Sequence, residues 1–212
     1  MKRTVRKFYT LIEIMTVIVI AAILFGIGIP AFTTMIQGSN MTVAIRQLSA
    51  KISAARAYAV TNRCRVAVLL PNVVENSSGT KKDDCCFSAY RVCVVDSSNN
   101  FQEWIEDENW KTLPKGILRE PVTLTEGSLP NVTVDTEVIG GITSASTPAL
   151  IFKTDGKMDH ASATISLRQG RYVNGSSIYT ERNDTGKIIS HPIEVNRYSG
   201  KVTVKDITET GS

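Results

Sequence analysis

The sequence lacks the short motifs that most readily identify an enzyme. It has no G-x-S-x-G, H-E-x-x-H, G-x-x-x-x-G-K-[S/T] or G-x-G-x-x-G segment, so the common hydrolase, zinc-protease and nucleotide-binding signatures are absent. Histidine occurs only at His160, after Asp159 and beside a predicted turn, and at His191, before Pro192. Ordinary surface or strand-end positions explain both. The sequence therefore predicts no enzyme, no catalytic residue, no metal site and no cofactor.

The chain after its N-terminal segment also has no excess of basic residues, although the formal net charge is +4. Four of the 24 basic residues lie within the first seven positions, and the remaining 20 balance the 20 acidic residues. This balance does not favour a body that binds nucleic acid through bulk charge. The alternative is nucleic-acid binding through a mildly basic C-terminal stretch, although Asp184, Glu194 and Asp206 reduce its net charge. Its basic residues are Arg182, Lys187, Arg197, Lys201 and Lys205.

Cysteine is scarce, and no C-x-x-C pair or nearby histidine suggests zinc. The cysteines are Cys64, Cys85, Cys86 and Cys93, an even number that fits two disulfides in an oxidising compartment. A bond between the adjacent Cys85 and Cys86 is disfavoured, because neighbouring Cα atoms lie about 3.8 Å apart and disulfides usually need about 4.4–6.8 Å. We expect Cys64 and Cys93 each to pair with one of these two, in an undetermined order. The alternative is four partly buried thiols.

A long apolar run is present at residues 11–29 (LIEIMTVIVIAAILFGIGI). A helix over residues 9–29 would be about 31 Å long, which matches the bilayer core of about 30 Å. The four basic residues before it predict a cytoplasmic N-terminus, so the cysteines would lie on the oxidising side. A cleavable signal peptide has a shorter apolar region of about 7–15 residues, whereas a plain membrane anchor remains an alternative.

Glu13 argues against a plain anchor. It lies one helical turn inside the apolar run, where a carboxylate costs up to about 2.5–3.5 kcal/mol, less near the interface. A segment that only holds the chain in the membrane has no use for this cost. We therefore expect Glu13 to have a partner or a function.

Residues 9–13 (YTLIE) follow a short basic leader and precede an apolar helix that ends near Pro30. This arrangement resembles the class III signal of type IV pilins and pseudopilins. The resemblance implies that a prepilin peptidase cuts the Phe8–Tyr9 bond and methylates the new amine of Tyr9. The family prefers glycine where this chain has Phe8. Pro30 matches the proline that bends pilin helices, because proline removes a backbone hydrogen bond.

The resemblance also gives Glu13 a partner, the positive N-terminal amine of a neighbouring subunit. Opposite charges attract strongly in a low dielectric, which offsets their desolvation. The implied partners of the chain are other pilin or pseudopilin subunits, the prepilin peptidase, the inner-membrane assembly platform and the membrane itself.

The next segment carries a helical stripe that consists of Met41, Ile45, Leu48, Ile52, Ala55 and Ala59. The spacing of three and four predicts that the stripe packs on a globular domain, and contact with neighbouring subunits is the alternative. Strands are predicted at residues 65–70, 89–96 and 132–138, and hairpins at 154–157 and 198–200. The expected α+β, pilin-like fold has a leader at 1–8, a helix at 9–62 whose residues 9–30 span the membrane, and a mainly antiparallel β domain at 63–212.

Four later segments resemble H-type minor pseudopilins and related minor type IV pilins. They are residues 56–63 (RAYAVTNR), 110–116 (WKTLPKG), 151–156 (IFKTDG) and 196–202 (NRYSGKV). The implied function is a structural minor pseudopilin of a type II secretion pseudopilus, assembled through its N-terminal helix in protein secretion. The alternative is a minor type IV pilin in pilus biogenesis, adhesion or DNA uptake. Either implies a bacterial inner-membrane protein with one span and a periplasmic domain, which later joins a periplasmic or surface filament.

Overall fold

The computed structural model describes residues 10–74, 83–106, 109–134, 145–183 and 185–210, with side chains for all of these except 27–38, 145 and 210. The predicted leader, including Phe8, and the proposed new N-terminus Tyr9 lie outside the described residues. Contacts within the chain define two compact units, Met1–Ser39 and Asn40–Ser212. The second unit contains every strand that the structure describes.

The helix α1 covers Leu11–Asn62. At its C-terminal end, the side-chain amide of Asn62 donates to the carbonyl of Tyr58 at 3.2 Å. Arg63 then takes a left-handed conformation with φ of 52°, which is the usual way to end a helix. The chain enters the first strand two residues later.

Thirteen strands follow in the described residues. In chain order they are β1 Arg65–Leu69, β2 Ala89–Val95, β3 Phe101–Trp104, β4 Lys111–Thr112, β5 Ile117–Arg119, β6 Thr123–Leu124, β7 Asn131–Val134, β8 Ala145–Phe152, β9 Ala163–Val173, β10 Ser176–Tyr179, β11 Ile188–Val195, β12 Val202–Val204 and β13 Thr208–Thr210.

The strands form two sheets. The six-stranded sheet has the order β3-β2-β1-β8-β7, and β4 also pairs with β2. The seven-stranded sheet has the order β10-β9-β11-β12, with β5 and β6 on β9 and β13 on β11. Every strand pair between these elements is antiparallel. The α+β class with a mainly antiparallel β domain is therefore confirmed.

The predicted stripe on α1 is the helical part of the core. Its members are buried except Ile45, which is half-buried and packs against the same cluster, and Ala44 joins them. This helix-side cluster also takes side chains from both sheets, such as Val68 on β1 and Ile165 on β9. The interpretation of the stripe as core is confirmed, because a strip of three- and four-residue spacing lies on one helix face.

The strand β1 is buried on both faces. Val66 and Val68 belong to the helix-side cluster, whereas Ala67 and Leu69 belong to a second cluster, here named the outer cluster. Alternate residues of a strand point to opposite faces, so the two clusters lie on opposite sides of this sheet. A strand covered on both faces has a continuous apolar sequence, which is the pattern that residues 66–70 show.

The two predicted hairpins have different outcomes. The turn at 198–200 joins β11 to β12, with Val195 opposite Val202, so this prediction is confirmed. The hairpin at 154–157 is wrong as a pairing of its flanking strands, because β8 pairs with β1 and β7 while β9 belongs to the other sheet. The turn itself exists and is closed by a single bridge between Phe152 and Met158. Turn residues reverse the chain, but the apolar face of the following strand decides which sheet it joins.

Candidate assembly site

Helix α1 begins with a reciprocal cap between Thr10 and Glu13. The hydroxyl of Thr10 accepts from the backbone N–H of Glu13 at 3.3 Å, and the Glu13 carboxylate accepts from the backbone N–H of Thr10 at 3.4 Å. This is a capping box, which satisfies donors that the first turn of a helix leaves without partners. A carboxylate in the first turn also interacts favourably with the helix dipole. The T-x-x-E spacing is visible in the sequence and could have predicted this role.

The cap leaves the carboxylate accessible, since Thr10 and Glu13 are both exposed. A carboxylate at this position can accept a further charge-assisted hydrogen bond from a cation on another molecule. The structure therefore gives Glu13 a local partner within its own helix turn and leaves room for a second one.

The first turns of α1 expose apolar side chains on all sides. Their exposed fractions run from 48% to 78%. The members of this apolar segment are Leu11, Ile12, Ile14, Met15, Val17, Ile18, Val19, Ile20, Ile23, Leu24 and Phe25. A surface helix of a globular protein is apolar along one stripe only. A segment that is apolar all round needs an apolar environment that the described part of this chain does not supply.

The hydroxyl of Thr16 is satisfied inside the apolar segment. Its Oγ1 donates to the carbonyl of Ile12 at 2.8 Å, one turn earlier. Side-chain to backbone bonds of this kind remove the cost of a hydroxyl in an apolar environment. Glu13 is then the one ionisable side chain at residues 11–26.

The predicted membrane span and kink have separate outcomes. Within the ranges that the structure describes, no helical stretch reaches the length and hydropathy of a membrane span. Pro30 lies in α1, in the stretch whose side chains are not described. The span at 9–30, the kink at Pro30 and the cleavage between Phe8 and Tyr9 remain predictions.

The sheet separates the cysteines into two groups. Cys64 packs against the helix-side cluster, whereas Cys85, Cys86 and Cys93 belong to the outer cluster or pack against it. None of the four is in a disulfide in this structure. The structure does not bring Cys64 together with Cys85 or Cys86, because the six-stranded sheet lies between the two clusters. The predicted disulfides stay a prediction.

Burial makes the thiols of Cys64 and Cys93 poor nucleophiles. Removal from water disfavours the thiolate and raises the pKa of Cys93 to about 12. Burial likewise raises the pKa of Cys64. Cys86 forms hydrogen bonds with the backbone of Val74 through its sulfur. Since the thiolate is the reactive form, the arrangement of these side chains is that of core residues.

His160 closes the edge of β8. The backbone N–H of Ile151 donates to Nε2 at 3.2 Å, and Nδ1 lies 3.0 Å from the carbonyl of Ala161, to which it donates. This pattern requires a neutral imidazole that is protonated on Nδ1. Burial lowers the pKa of His160, against the opposing effect of the Ala161 hydrogen bond. His160 lies in a bend between β8 and β9 and is half-buried, so it is at neither a surface nor a strand-end position, and its side chain has a structural role that the sequence did not reveal.

Two glycine turns meet on Arg56 of α1. The Nε of Arg56 donates to the carbonyl of Gly156 at 3.2 Å. A Cβ on Gly200 would lie 2.1 Å from that same carbonyl oxygen and 2.9 Å from Arg56. The segments 151–156 and 196–202, which share a resemblance to the same proteins, therefore converge on one helix residue. Nothing in the linear sequence indicated that these turns touch.

Arg119 is a buried cation that holds the chain after β1. Its guanidinium donates to the carbonyls of Leu70, Pro71 and Glu120 at 2.9–3.0 Å and to the side chain of Asn72 at 3.3 Å. Burial lowers the pKa of Arg119 to about 10. Sequence reasoning missed this residue, because a single arginine in a short strand gives no signal of burial.

Among the comparisons with known proteins, only the comparison with solved structures gave matches. No protein-family model matches the chain, and no curated protein matches its sequence. The crystal structure of the type IV minor pilin FimU of Pseudomonas aeruginosa is similar over 78% of this chain and 87% of its own, with 11% identity and a TM-score of 0.44. The minor pseudopilin EpsH from the type II secretion system of Vibrio cholerae is similar over 81% of this chain and 97% of its own, with 13% identity and a TM-score of 0.45.

Proposed function

We propose that the chain is a non-enzymatic subunit of a pilin-type filament and assembles through the start of α1. One observation carries this proposal: eleven large apolar side chains at residues 11–25 are exposed all round a helix that has Glu13 in its first turn. An anchor explains the apolar surface, but a carboxylate at its edge needs the further role that assembly supplies.

The size of the apolar surface determines what it requires. Burial of one large aliphatic side chain stabilises by about 1.5–3 kcal/mol, so burial of the whole segment is worth on the order of 20 kcal/mol. A bilayer supplies this environment before assembly, and the packed helices of other subunits supply it afterwards. Transfer of the segment from the bilayer to the packed helices leaves the free energy of apolar burial nearly unchanged. Specific polar contacts therefore decide whether a subunit leaves the lipid.

Glu13 is the polar contact that we assign to assembly. The capping box accounts for one hydrogen bond to the carboxylate, and the N-terminal amine of a neighbouring subunit would supply a charge-assisted one. An amine becomes available there when a prepilin peptidase cuts between Phe8 and Tyr9 and methylates Tyr9. The subunit before cutting is a single-pass protein of the bacterial inner membrane, with the N-terminus in the cytoplasm and the β domain in the periplasm.

The particular role that we favour is a minor pseudopilin of a type II secretion pseudopilus; a minor type IV pilin is the second candidate. The DNA-uptake form of the second candidate has little support from charge. Lys205 is ion-paired with Glu194 at 2.7 Å and Lys187 with Glu209 at 3.8 Å, so two of the five basic residues in the C-terminal stretch have a carboxylate partner. Deletion of the gene separates the two roles: loss of protein export with surface pili intact supports the pseudopilin, and the reverse supports the pilin.

The test of assembly compares Glu13→Ala with Glu126→Ala, which removes an exposed carboxylate from the β-rich unit. Both variants are expected to enter the membrane, and only Glu13→Ala is expected to be missing from isolated filaments. The N-terminal mass after co-expression with a prepilin peptidase checks the processing step. Wild-type incorporation of Glu13→Ala would remove the assembly role, whereas an intact Met1 beside a correctly cut control pilin would point to a permanent anchor.

A further inference from the structure

A tight hairpin joins β9 to β10. Val173 pairs with Ser176, so Asn174 and Gly175 alone form the loop, here named the hairpin tip. Both residues have a positive φ, of 51° and 90°, and both are exposed. Two central residues with positive φ define the type I′ turn, which Asn-Gly favours. The hairpin tip is also the one Asn-Gly pair in the sequence.

The hairpin tip places an amide side chain beside a backbone nitrogen that no side chain crowds. A bond between Cγ of Asn174 and the backbone nitrogen of Gly175 would close a five-membered ring. Glycine has no Cβ to obstruct this approach, and reacting groups that are held in one molecule meet far more often than free ones. In the described part of the chain, no hydrogen bond holds the side-chain amide of Asn174. The amide can therefore turn toward the nitrogen.

Asn196 is a matched asparagine that lacks these features. Its Oδ1 accepts from the backbone N–H groups of Tyr198 and Ser199 at 3.0 Å and from the hydroxyl of Ser199 at 3.1 Å. Arg197 follows it, so the next backbone nitrogen has a Cβ beside it. The side chain of Asn196 is thus held in its turn, and the same ring closure is disfavoured there.

The hairpin tip is bound to the loop before β2. The backbone N–H of Asn174 donates to the carboxylate of Asp83 at 3.2 Å. A carboxylate at position 174 would therefore lie close to a second negative charge, and like charges repel. Arg171, which lines the same pocket as Asp83 and Asp84, offsets part of this repulsion. An isoaspartate would also add one atom to the backbone of a two-residue turn, whose geometry depends on its length.

We propose that Asn174 is a site of self-modification. The nitrogen of Gly175 attacks Cγ of Asn174, the new C–N bond forms, and ammonia leaves with the proton of that nitrogen. Water then opens the cyclic imide at either carbonyl, which gives aspartate or isoaspartate with no change of oxidation state. Either product adds a negative charge and weakens the bond between the hairpin tip and Asp83. The proposal goes beyond filament assembly and does not depend on it, because the hairpin lies in the β-rich unit.

The first test follows the reaction in the purified full chain, in mild detergent and a mildly alkaline buffer, with a second sample unfolded in urea. The tryptic peptides 172–182 and 188–197 each contain a single asparagine, Asn174 and Asn196. Mass spectrometry of the folded sample should show deamidation of peptide 172–182, with isoaspartate among the products. The rate should exceed that of peptide 188–197 by about ten-fold or more, which is about 1.4 kcal/mol in activation free energy. A sample digested at time zero corrects for reaction during handling.

Variants test the consequence for the hairpin tip. Asn174→Asp carries the charge of the product, whereas Asn174→Gly suits the turn and cannot form the ring. Hydrogen exchange of the amide at position 174, corrected for sequence, should be about two- to five-fold faster in Asn174→Asp than in the wild type, the range for exposed charge pairs. In an Asp83→Asn background this difference should disappear. Equal thermal unfolding of the variants shows that the fold is kept.

Three results would overturn the proposal. If Asn174 stays intact in the folded chain while the urea sample reacts, the hairpin protects the residue. If Asn196 reacts as fast as Asn174, the hairpin tip is no special site. If the amide at position 174 exchanges equally in Asn174→Asp and the wild type, the product does not weaken the bond to Asp83.

Discussion

The contact between the two glycine turns and Arg56 allows a sharp test of the structure through Gly200→Ala. Gly200 has φ of 62°, in the left-handed region that glycine favours. A Cβ there would also lie 2.1 Å from the carbonyl oxygen of Gly156. The substitution therefore combines a backbone cost with a steric conflict that only a shift of a second turn relieves.

The two costs have different sizes. The left-handed backbone costs a non-glycine residue about 1–2 kcal/mol. The steric conflict displaces the turn that carries Gly156, which weakens its hydrogen bond to Arg56; overpacking of this kind costs about 1–3 kcal/mol more. We expect a total of about 2–5 kcal/mol, which lowers Tm by about 4–20 °C for a domain of this size.

Gly127→Ala is the matched control. Gly127 also has a positive φ, of 80°, but a Cβ added there would meet no other atom within 4 Å, so only the backbone cost of about 1–2 kcal/mol applies. Thermal unfolding is followed through tryptophan fluorescence, because the two tryptophans, Trp104 and Trp110, both lie in the β-rich unit. If Gly200→Ala unfolds at the same temperature as Gly127→Ala, the turns do not meet as described.

Three further predictions concern single side chains. Arg119→Met should lower the free energy of unfolding by about 3–5 kcal/mol in urea titrations, because it leaves buried carbonyls without donors; a loss below about 1 kcal/mol would contradict the buried network. For His160, burial lowers the pKa in the folded state, so the unfolded chain binds the proton more readily and stability should fall as the pH drops from about 6.5 through the lower folded-state pKa. His160→Gln should flatten the curve in that window, and an unchanged pH dependence would refute this role. Thr10→Val should cost the helix start about 1 kcal/mol and speed hydrogen exchange at Glu13, unlike Thr16→Val, whose bond lies one turn further in.

Local patterns in the sequence predicted the helical stripe and the first two strands. The stripe on α1 follows from spacings of three and four along one buried face, whereas β1 and β2 follow from valine-rich runs that are buried along most of their length. The prediction of a hairpin at 154–157 was wrong, because the turn residues Thr154-Asp155-Gly156 determine that the chain reverses but not which strand the following strand pairs with. Ala163, at the start of β9, is fully buried in the helix-side cluster and lies opposite Val195 of β11 in the second sheet, a long-range pairing that the turn residues do not encode.

The sequence predicted some residues of the candidate site but not all of their contacts. Glu13 was identified because a carboxylate in an apolar run is costly, but its bond to Thr10 was missed although the spacing was available. The cysteine pairing could not be derived from the sequence. Alternate residues of β1 lie on opposite faces of the sheet, which determines the face of the neighbouring Cys64, and the loop before β2 determines the position of Cys86. Both depend on register, which two distant segments fix together.

The two parts of α1 show how one helix can serve two environments. At positions 41–59 the apolar residues form one stripe, and Arg46, Lys51 and Arg56 lie off it. At positions 11–25 the apolar residues surround the axis and remain exposed. A helix of the first kind is stabilised by its own domain, whereas one of the second kind needs lipid or other chains. On the proposed membrane placement, unfolding of the β-rich unit should leave the apolar segment in the lipid, and loss of Glu13 should impair the proposed assembly without a change in the Tm of the β-rich unit.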